Sequence, residues 1–291
     1  MTGSILRGIG SFYTVLCDED GQEYTLRAQK KLRHQKMTPM VGDRVRFTPG
    51  QGEEDGWLEE ILPRRSAMER PSVANVDMLM LVVASVPQPD MLLCDKLILR
   101  AEKGGMIPAI CVNKIDLGDE LVQEIRKEYV GTQLRVFSVS AHTGEGIAEL
   151  REAMRGKVTC LAGQSAVGKS SLLNALLPGI ALKVGSLSEK TERGRHTTRH
   201  TELIPVGNSG AVLDTPGFSL LDNIEIEPRE IKNCYPEFRA VRGECRFNGC
   251  IHVSEPGCAV KKGGENVISR GRYERYVHLV KEAEENKRNR F

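Results

Sequence analysis

Polar and apolar positions follow two different rhythms along this chain. Up to about residue 63 the apolar runs are short and strand-like. Ser11 to Leu16 is rich in β formers, Asp20-Gly21 marks a hairpin, Glu23 to Ala28 and Val41 to Phe47 alternate, and Trp57 to Leu62 closes the set. Such runs in this length predict a small five-stranded barrel of the OB-fold type over residues 1–63. Residues 64–74 are polar and proline-bearing and read as a linker. From Val76 the pattern becomes strand–helix alternation: strands at Val76–Ser85, Ile107–Val112, Leu134–Val139 and Lys157–Leu161, with helices at Met91–Lys103, Glu120–Tyr129, Ile147–Met154 and Ser171–Leu177. Two more strands follow at Thr201–Val206 and Ala211–Leu213. This alternation predicts a mostly parallel α/β sheet with helices on both faces, residues 75–222. Residues 223–291 form a third, polar region that ends in a charged helical tail from Gly271 to Phe291.

Composition changes this picture little. The 291 residues are 40% hydrophobic and 27% charged, with a net charge of +2, so the overall balance does not mark a polyanion binder. A basic stretch, Lys30 to Lys36, lies between two barrel strands and suits either RNA phosphates or solvent. The longest apolar run, Met78 to Val86, is too short to cross a bilayer, and Met1 to Phe12 lacks a signal-peptide core, so a cytoplasmic chain without disulfides is expected. Eight cysteines then need another explanation. Cys94, Cys111 and Cys160 sit in apolar runs as small core residues, whereas Cys17 and Cys234 suggest no role.

The chemistry centres on Gly163-Gln164-Ser165-Ala166-Val167-Gly168-Lys169-Ser170, which matches G-x-x-x-x-G-K-[ST] between a predicted strand and a predicted helix. Glycines let the backbone amides face phosphates, and the helix that opens at Ser171 adds its dipole. Lys169 reaches the β- and γ-phosphates, and the Ser170 hydroxyl holds Mg²⁺. Asn113-Lys114-Ile115-Asp116 matches N-K-x-D at a strand end. A carboxylate at Asp116 accepts the two donors that guanine has and adenine lacks; Asn113 braces the loop, and Lys114 lies along the ring. Ser140-Ala141, also at a strand end, offers a backbone N–H to guanine O6. Asp214-Thr215-Pro216-Gly217 matches D-x-x-G, with Asp214 on the magnesium side and the Gly217 amide on the γ-phosphate. Thr197 and Thr198 are candidates for a switch threonine that senses both.

The order of these motifs carries further information. A conventional GTPase runs phosphate loop, switch threonine, D-x-x-G, N-K-x-D, S-A; here N-K-x-D and S-A come first, so the domain is circularly permuted. At the carboxyl end stands Cys245-x₄-Cys250-x-His252-x₅-Cys258, whose three thiolates and one imidazole complete a tetrahedral, closed and therefore structural zinc site. Permuted motifs, N-terminal barrel and Cys/His tail together resemble the RsgA family (also YjeQ or YloQ) along the whole chain. The resemblance implies a monomeric GTPase that binds the small ribosomal subunit and its rRNA, assists late subunit maturation, and is stimulated by the subunit to hydrolyse GTP to GDP. It implies Mg²⁺ held by Ser170, Thr198 and Asp214, and one zinc. Phe218 stands where conventional GTPases carry a water-orienting glutamine. His196 is the candidate substitute, acting with Lys169 and Thr198, and the family implicates the matching histidine; the plainer alternative is a surface histidine. Arg193, Arg195 and Arg199 suit either charge stabilisation or RNA contact. Ala166 replaces the asparagine with which some related GTPases hold potassium. The rival readings are a non-catalytic RNA-binding module and a permuted GTPase acting on another RNA or protein.

Overall fold

The computed structural model describes residues 1–29, 37–50, 55–68, 72–177, 201–206, 210–214 and 226–289. The basic stretch 30–36, the switch segment with His196, Thr197 and Thr198, and Gly217 lie outside them, as does the side chain of Asp214.

Five antiparallel and parallel strands make the N-terminal barrel: β1 (Thr2–Ile9), β2 (Phe12–Cys17), β3 (Glu23–Ala28), β4 (Arg44–Thr48) and β5 (Gly56–Ile61). They are ordered β1-β2-β3-β5-β4, and β4 pairs back onto β1 to close the ring. Ile5, Val15, Leu26, Val45, Phe47 and Leu58 fill the interior, and Cys17 is packed among them. The sequence pattern did not pick out β1, because Gly3 and Gly8 dilute its apolar alternation. The reason for Gly3 is steric: a Cβ there would stand 2.4 Å from the Leu16 carbonyl oxygen.

The segment expected as a linker is built into the junction between barrel and sheet. It carries β6 (Ala67–Met68) and β7 (Val73–Ala74), which pair with each other, and Val73 bridges to Val41 of the barrel region. Fully buried Asp43 receives both Nε and Nη2 of Arg64, at 2.7 and 2.8 Å. Asn75, at φ +55°, donates to the Gly42 carbonyl at 3.0 Å and accepts the Arg65 amide at 2.9 Å.

The α/β unit contains β8 (Met78–Ala84), α1 (Met91–Lys103), β9 (Ile107–Asn113), α2 (Glu120–Glu128), β10 (Arg135–Ser138), α3 (Ile147–Met154), β11 (Val158–Ala162), α4 (Lys169–Leu176), β12 (Glu202–Pro205) and β13 (Ala211–Asp214). The strand order is β10-β9-β8-β11-β13-β12, parallel throughout except at β12. All of β8 is buried, and its side chains alternate between two cores. Leu79, Leu81 and Val83 pack with α1 and α2, while Met78, Met80 and Val82 pack with α3 and α4. The chain therefore leaves β8 toward one edge, through β9 and β10, and returns to its other side as β11. That reversal opens a crevice at the carboxyl ends of β8, β9 and β11. Cys94, Cys111 and Cys160 are buried in these cores, and burial pushes the Cys94 thiol up to about 12.

The C-terminal region has its own core around Tyr235, Phe238, Tyr276, Leu279 and Val280, built from α5 (Pro228–Ile231), α6 (Ala259–Gly263) and α7 (Arg270–Arg288). It is joined to the α/β unit by buried charge. Arg272 and Arg275 of α7 reach Asp95 of α1 at 2.6 and 2.5 Å. Arg272 also donates to Glu237, Arg275 to Glu128 at 2.7 Å, and the Tyr129 hydroxyl to Asp95 at 2.8 Å. The Arg272 guanidinium lies 4.4 Å from the Tyr235 ring centre and 4.8 Å from that of Tyr129. Among the described residues, no helix is long and apolar enough to cross a membrane.

Arg272 is 1% exposed, and its removal strands buried Glu237 and takes one of two arginines from buried Asp95. Arg272→Ala is therefore expected to cost about 3–5 kcal/mol in urea denaturation, the range for breaking a buried pair. A loss within the scatter of surface arginine variants would refute the assignment.

Candidate nucleotide site and metal centre

Three loops converge on the crevice. The first follows β11. Gly163 leaves the strand at φ +137°, where a Cβ would sit 2.2 Å from the Val82 carbonyl oxygen, and Gly168 enters α4 at φ +94°, where a Cβ would meet Asn113 Nδ2 at 2.4 Å. Neither position admits a larger residue. Between them Ser165 and Ala166 are exposed, and Val167 is driven into the core. Ala166 holds φ +64°, a conformation that costs an L residue about 1–2 kcal/mol. Ser170 and Ser171 lie in the first turn of α4. Lys169 Nζ donates to the carbonyls of Gly163 and Gln164 at 2.7 and 2.6 Å, which hold the ammonium against the loop.

The second loop follows β9. The Asn113 side chain, 2% exposed, donates to the Val167 carbonyl at 3.0 Å and accepts the Ala141 amide at 3.0 Å. One carboxamide thus ties the phosphate loop to the third loop, which follows β10. Lys114, at φ +65°, extends its ammonium to the carbonyls of Ala166 and Val86 at 2.8 and 2.7 Å. Asp116 is exposed on the same loop and accepts the Ser140 hydroxyl at 2.5 Å. That hydrogen bond, with lesser help from His142 and Lys114, holds the Asp116 carboxyl below the ordinary carboxylate range. The carboxylate is ionised at neutral pH. The Ala141 N–H, expected to face guanine O6, is given to Asn113.

Asn113, Lys114, Asp116, Ser140, Ala141 and Gly163 to Ser171 are thereby brought together. One residue outside the motifs, Asp90, joins them through Gln164. The Gln164 side chain accepts the Asp90 amide at 2.8 Å, and the Asp90 carboxylate caps α1 by accepting the Leu93 amide at 2.9 Å. An aspartate just before a helical run is the usual sign of such a cap, so Asp90 was legible; the reach of Gln164 across 74 residues was not.

A second cluster lies in the C-terminal region. One ligand atom from each of Cys245, Cys250, His252 and Cys258 falls within 4.8 Å of the others. His252 Nδ1 is 3.6, 3.5 and 3.4 Å from the sulfurs of Cys245, Cys250 and Cys258. Metal–sulfur and metal–imidazole bonds of about 2.3 and 2.1 Å at a tetrahedral angle give an edge of about 3.6 Å, so the donor set fits a four-coordinate ion. Its frame is braced. Glu255 accepts the amides of Ile251, Val253 and Ser254 at 2.6, 3.0 and 3.1 Å; the Tyr273 hydroxyl donates to the His252 carbonyl at 2.9 Å. Ring packing of Phe238 on His252 at 4.9 Å orients the imidazole.

Comparison with known proteins decides the family. The family model of the RsgA GTPase matches residues 61–224, and that of the RsgA N-terminal domain matches residues 2–58. The chain belongs to the RsgA GTPase family. It is 42% identical to the small ribosomal subunit biogenesis GTPase RsgA of Ruminiclostridium cellulolyticum over 96% of this chain and 92% of that one. The protein of that name from Thermotoga maritima is 40% identical over 96% of each chain. The crystal structure of YjeQ from T. maritima aligns with a TM-score of 0.82 at 37% identity, covering 97% of this chain and 98% of that one. YloQ, described as a circularly permuted GTPase, aligns at 0.79 with 33% identity, over 98% and 95%. The chain is accordingly a circularly permuted GTP hydrolase.

A carboxyl whose folded pKa is depressed contributes stability above its unfolded pKa and loses it as pH falls through the folded one. For Asp116 that window lies in the acid range, below the ordinary carboxylate value. Ser140→Ala is expected to raise the Asp116 midpoint, followed by carboxyl-carbon NMR titration, and to weaken guanine nucleotide binding about five- to tenfold through lost alignment, the scale of one hydrogen bond to a charge. An unmoved midpoint would show that Ser140 does not hold Asp116.

Proposed function

We propose that this chain is a GTPase that binds the small ribosomal subunit, assists its late maturation, and dissociates after subunit-stimulated hydrolysis of GTP to GDP. The observation that carries the reading is the Asn113 carboxamide, which joins a phosphate loop to a guanine-type loop at the crevice of a permuted sheet. The subunit comes from the relatives, each named a small ribosomal subunit biogenesis GTPase. The enzyme works in the cytoplasm.

In this reading the amides of Gly163 to Lys169 cradle the phosphates, and the Lys169 ammonium moves from the Gly163 and Gln164 carbonyls to the β- and γ-phosphates. Asp116 takes the guanine N1–H and exocyclic amine, and the Ala141 amide is shared between Asn113 and guanine O6. Ser170, Thr198 and Asp214 would hold Mg²⁺, which would supply positive charge beside the phosphates. Thr197, Thr198, Gly217 and His196 act from the switch segments, with His196 orienting the attacking water in place of the missing glutamine. The C-terminal cluster holds one zinc through Cys245, Cys250, His252 and Cys258. A full set of four protein ligands leaves the metal no open position, so its role is structural.

The test is GTP turnover titrated with small subunits, large subunits and bare RNA. Stimulation by small subunits alone is expected, with guanine preferred over adenine by at least about 10⁴, as for a site whose buried polar groups the wrong base leaves unpaired. Equal turnover with large subunits would redirect the reading to another target. Elemental analysis should find about one zinc per chain, from the four-ligand count. Cys245→Ser should lose the metal and loosen the C-terminal region while GTP binding is retained, since Cys245 belongs to none of the three loops that meet at the crevice. A metal-free preparation with an intact C-terminal fold would reject the zinc.

A further inference from the structure

A cavity of about 240 Å³ lies where α1 meets the C-terminal region. It sits beside the amino end of β9, whereas the nucleotide crevice is at the carboxyl ends of the strands. Ile98 of α1, Met106, Pro108 of β9, Leu134 and Pro236 wall it, and Ile107, 54% exposed, stands at its mouth. Its polar groups are Glu102 at the end of α1, Arg239 and the almost fully buried Arg272. Asp95, Ile98 and Glu102 share one face of α1 at helical spacing. Arg272, which binds Asp95 at 2.6 Å, is thereby set against the same wall as Glu102.

Two of these polar groups have capacity to spare. Arg272 gives Nε to Glu237 and Nη1 to Asp95, and neither bond uses Nη2. Partial burial raises the Glu102 carboxyl above its ordinary range; Arg239 and Arg272 oppose this only through space, without a hydrogen bond. The site thus offers a donor and an acceptor above an apolar slot. A carboxylate placed there would face Glu102, and an ammonium would face Arg239, each a like charge in a partly dry site. A neutral edge that sets a carbonyl beside an N–H meets both groups. We propose that this cavity binds a small neutral ring compound with a carboxamide or lactam edge, the carbonyl accepting from Arg272 and the N–H donating to Glu102. The apolar walls take the ring, whose removal from water favours binding. The volume falls below the ~300–1,000 Å³ of drug-sized sites, so it admits a single ring and not a nucleotide. Walls from two packed units make a slot rather than an exposed patch, the placement in which small-molecule sites are commonest and protein partners find little to grip. A ligand there touches α1 and the C-terminal region together and fixes their relative position. The inference does not depend on the ribosomal partner.

Met106 reports on the cavity from its wall. The experiment titrates the full-length protein, labelled at the methionine methyls, with benzamide and follows the Met106 resonance by NMR, assigned with Met106→Leu. Benzoate and benzylammonium, which keep the ring and carry one charge, serve as the other arms. Benzamide is expected to shift Met106 saturably, and both charged compounds to bind at least about tenfold more weakly, since each leaves a like charge opposed in the slot. Glu102→Ala should weaken benzamide about tenfold, the scale of one hydrogen bond to a charged group. Leu134→Trp, which fills the slot, should abolish the shift. Glu102 is exposed, so its variant keeps the fold and decides the matter even where Leu134→Trp does not fold. An unmoved Met106 methyl, or benzamide binding undiminished in Glu102→Ala, would overturn the site. Benzoate or benzylammonium binding as tightly as benzamide would overturn the neutral edge. None of these readouts involves GTP turnover, so their failure and that of the GTPase reading are distinguishable.

Discussion

The nucleotide site depends on one buried carboxamide. Asn113 stands at the end of β9, with its donor on the Val167 carbonyl and its acceptor on the Ala141 amide. Three loops from three strands are therefore positioned by a single side chain that cannot move without stranding a buried carbonyl, at about 1–3 kcal/mol, and freeing a half-buried amide. The constraint spreads outward. Gly168 must be glycine because any Cβ would strike Asn113 Nδ2. Lys114 then follows Asn113 in a left-handed conformation, which turns its ammonium back over Ala166 and Asp116, two residues on, out toward Ser140. Base recognition and phosphate binding are parts of one rigid object, although their motifs are fifty residues apart in sequence and in reverse of the usual order.

Permutation is tolerated because the brace does not depend on chain order. The sheet needs β8, β9 and β11 side by side with their carboxyl ends level, and the registers Ala84 to Asn113 and Leu81 to Ala162 provide that. Where the chain begins and ends is irrelevant to those pairings. What permutation changes is attachment. The amino end of the α/β unit now leads from the barrel, and the junction is stiff: Arg64 on buried Asp43 and Asn75 on Gly42 leave the connection little freedom.

The α/β unit was almost wholly legible in the sequence, for a physical reason. Its strands are buried on both faces and its helices are amphipathic, so burial wrote itself into residue type, and Met91–Lys103 and Ile147–Met154 are the helices that periodicity predicts. The phosphate, N-K-x-D and Cys/His motifs were legible because their chemistry fixes residue types at short spacings. Three things were not. β1 was hidden by the glycines that let it cross β2 closely. Segment 64–74 looked like a linker because its polar residues, which suggest solvent, are spent on contacts with Asp43 and Val76. The Asp95–Arg272–Glu237 network was invisible because charged residues spread over nearly 180 positions show no periodicity.

That network bears on how nucleotide state would reach the C-terminal region. Connectivity alone suggests a route through the strand that ends at Asp214 and its D-x-x-G sequence. The structure adds another, through α1. At its amino end the helix is capped by Asp90, whose amide is held by Gln164 of the phosphate loop; one turn further on, Asp95 grips Arg272 and Arg275 of α7. Lys96 adds a bond to Glu282 at 2.9 Å on the same helix pair. A buried ion network of this kind is not easily exchanged for water, because each carboxylate left behind would lose its partners in a low-dielectric interior. The C-terminal region therefore cannot swing about the Asp214 connection alone. A displacement must carry α1 with it, pulling on Gln164, or else rotate α7 about the Asp95 anchor. Only in the first case does the motion reach the phosphate loop, through Asp90 and Gln164, and there the link runs both ways: a ligand that fixes the position of α1 through one end also biases the other.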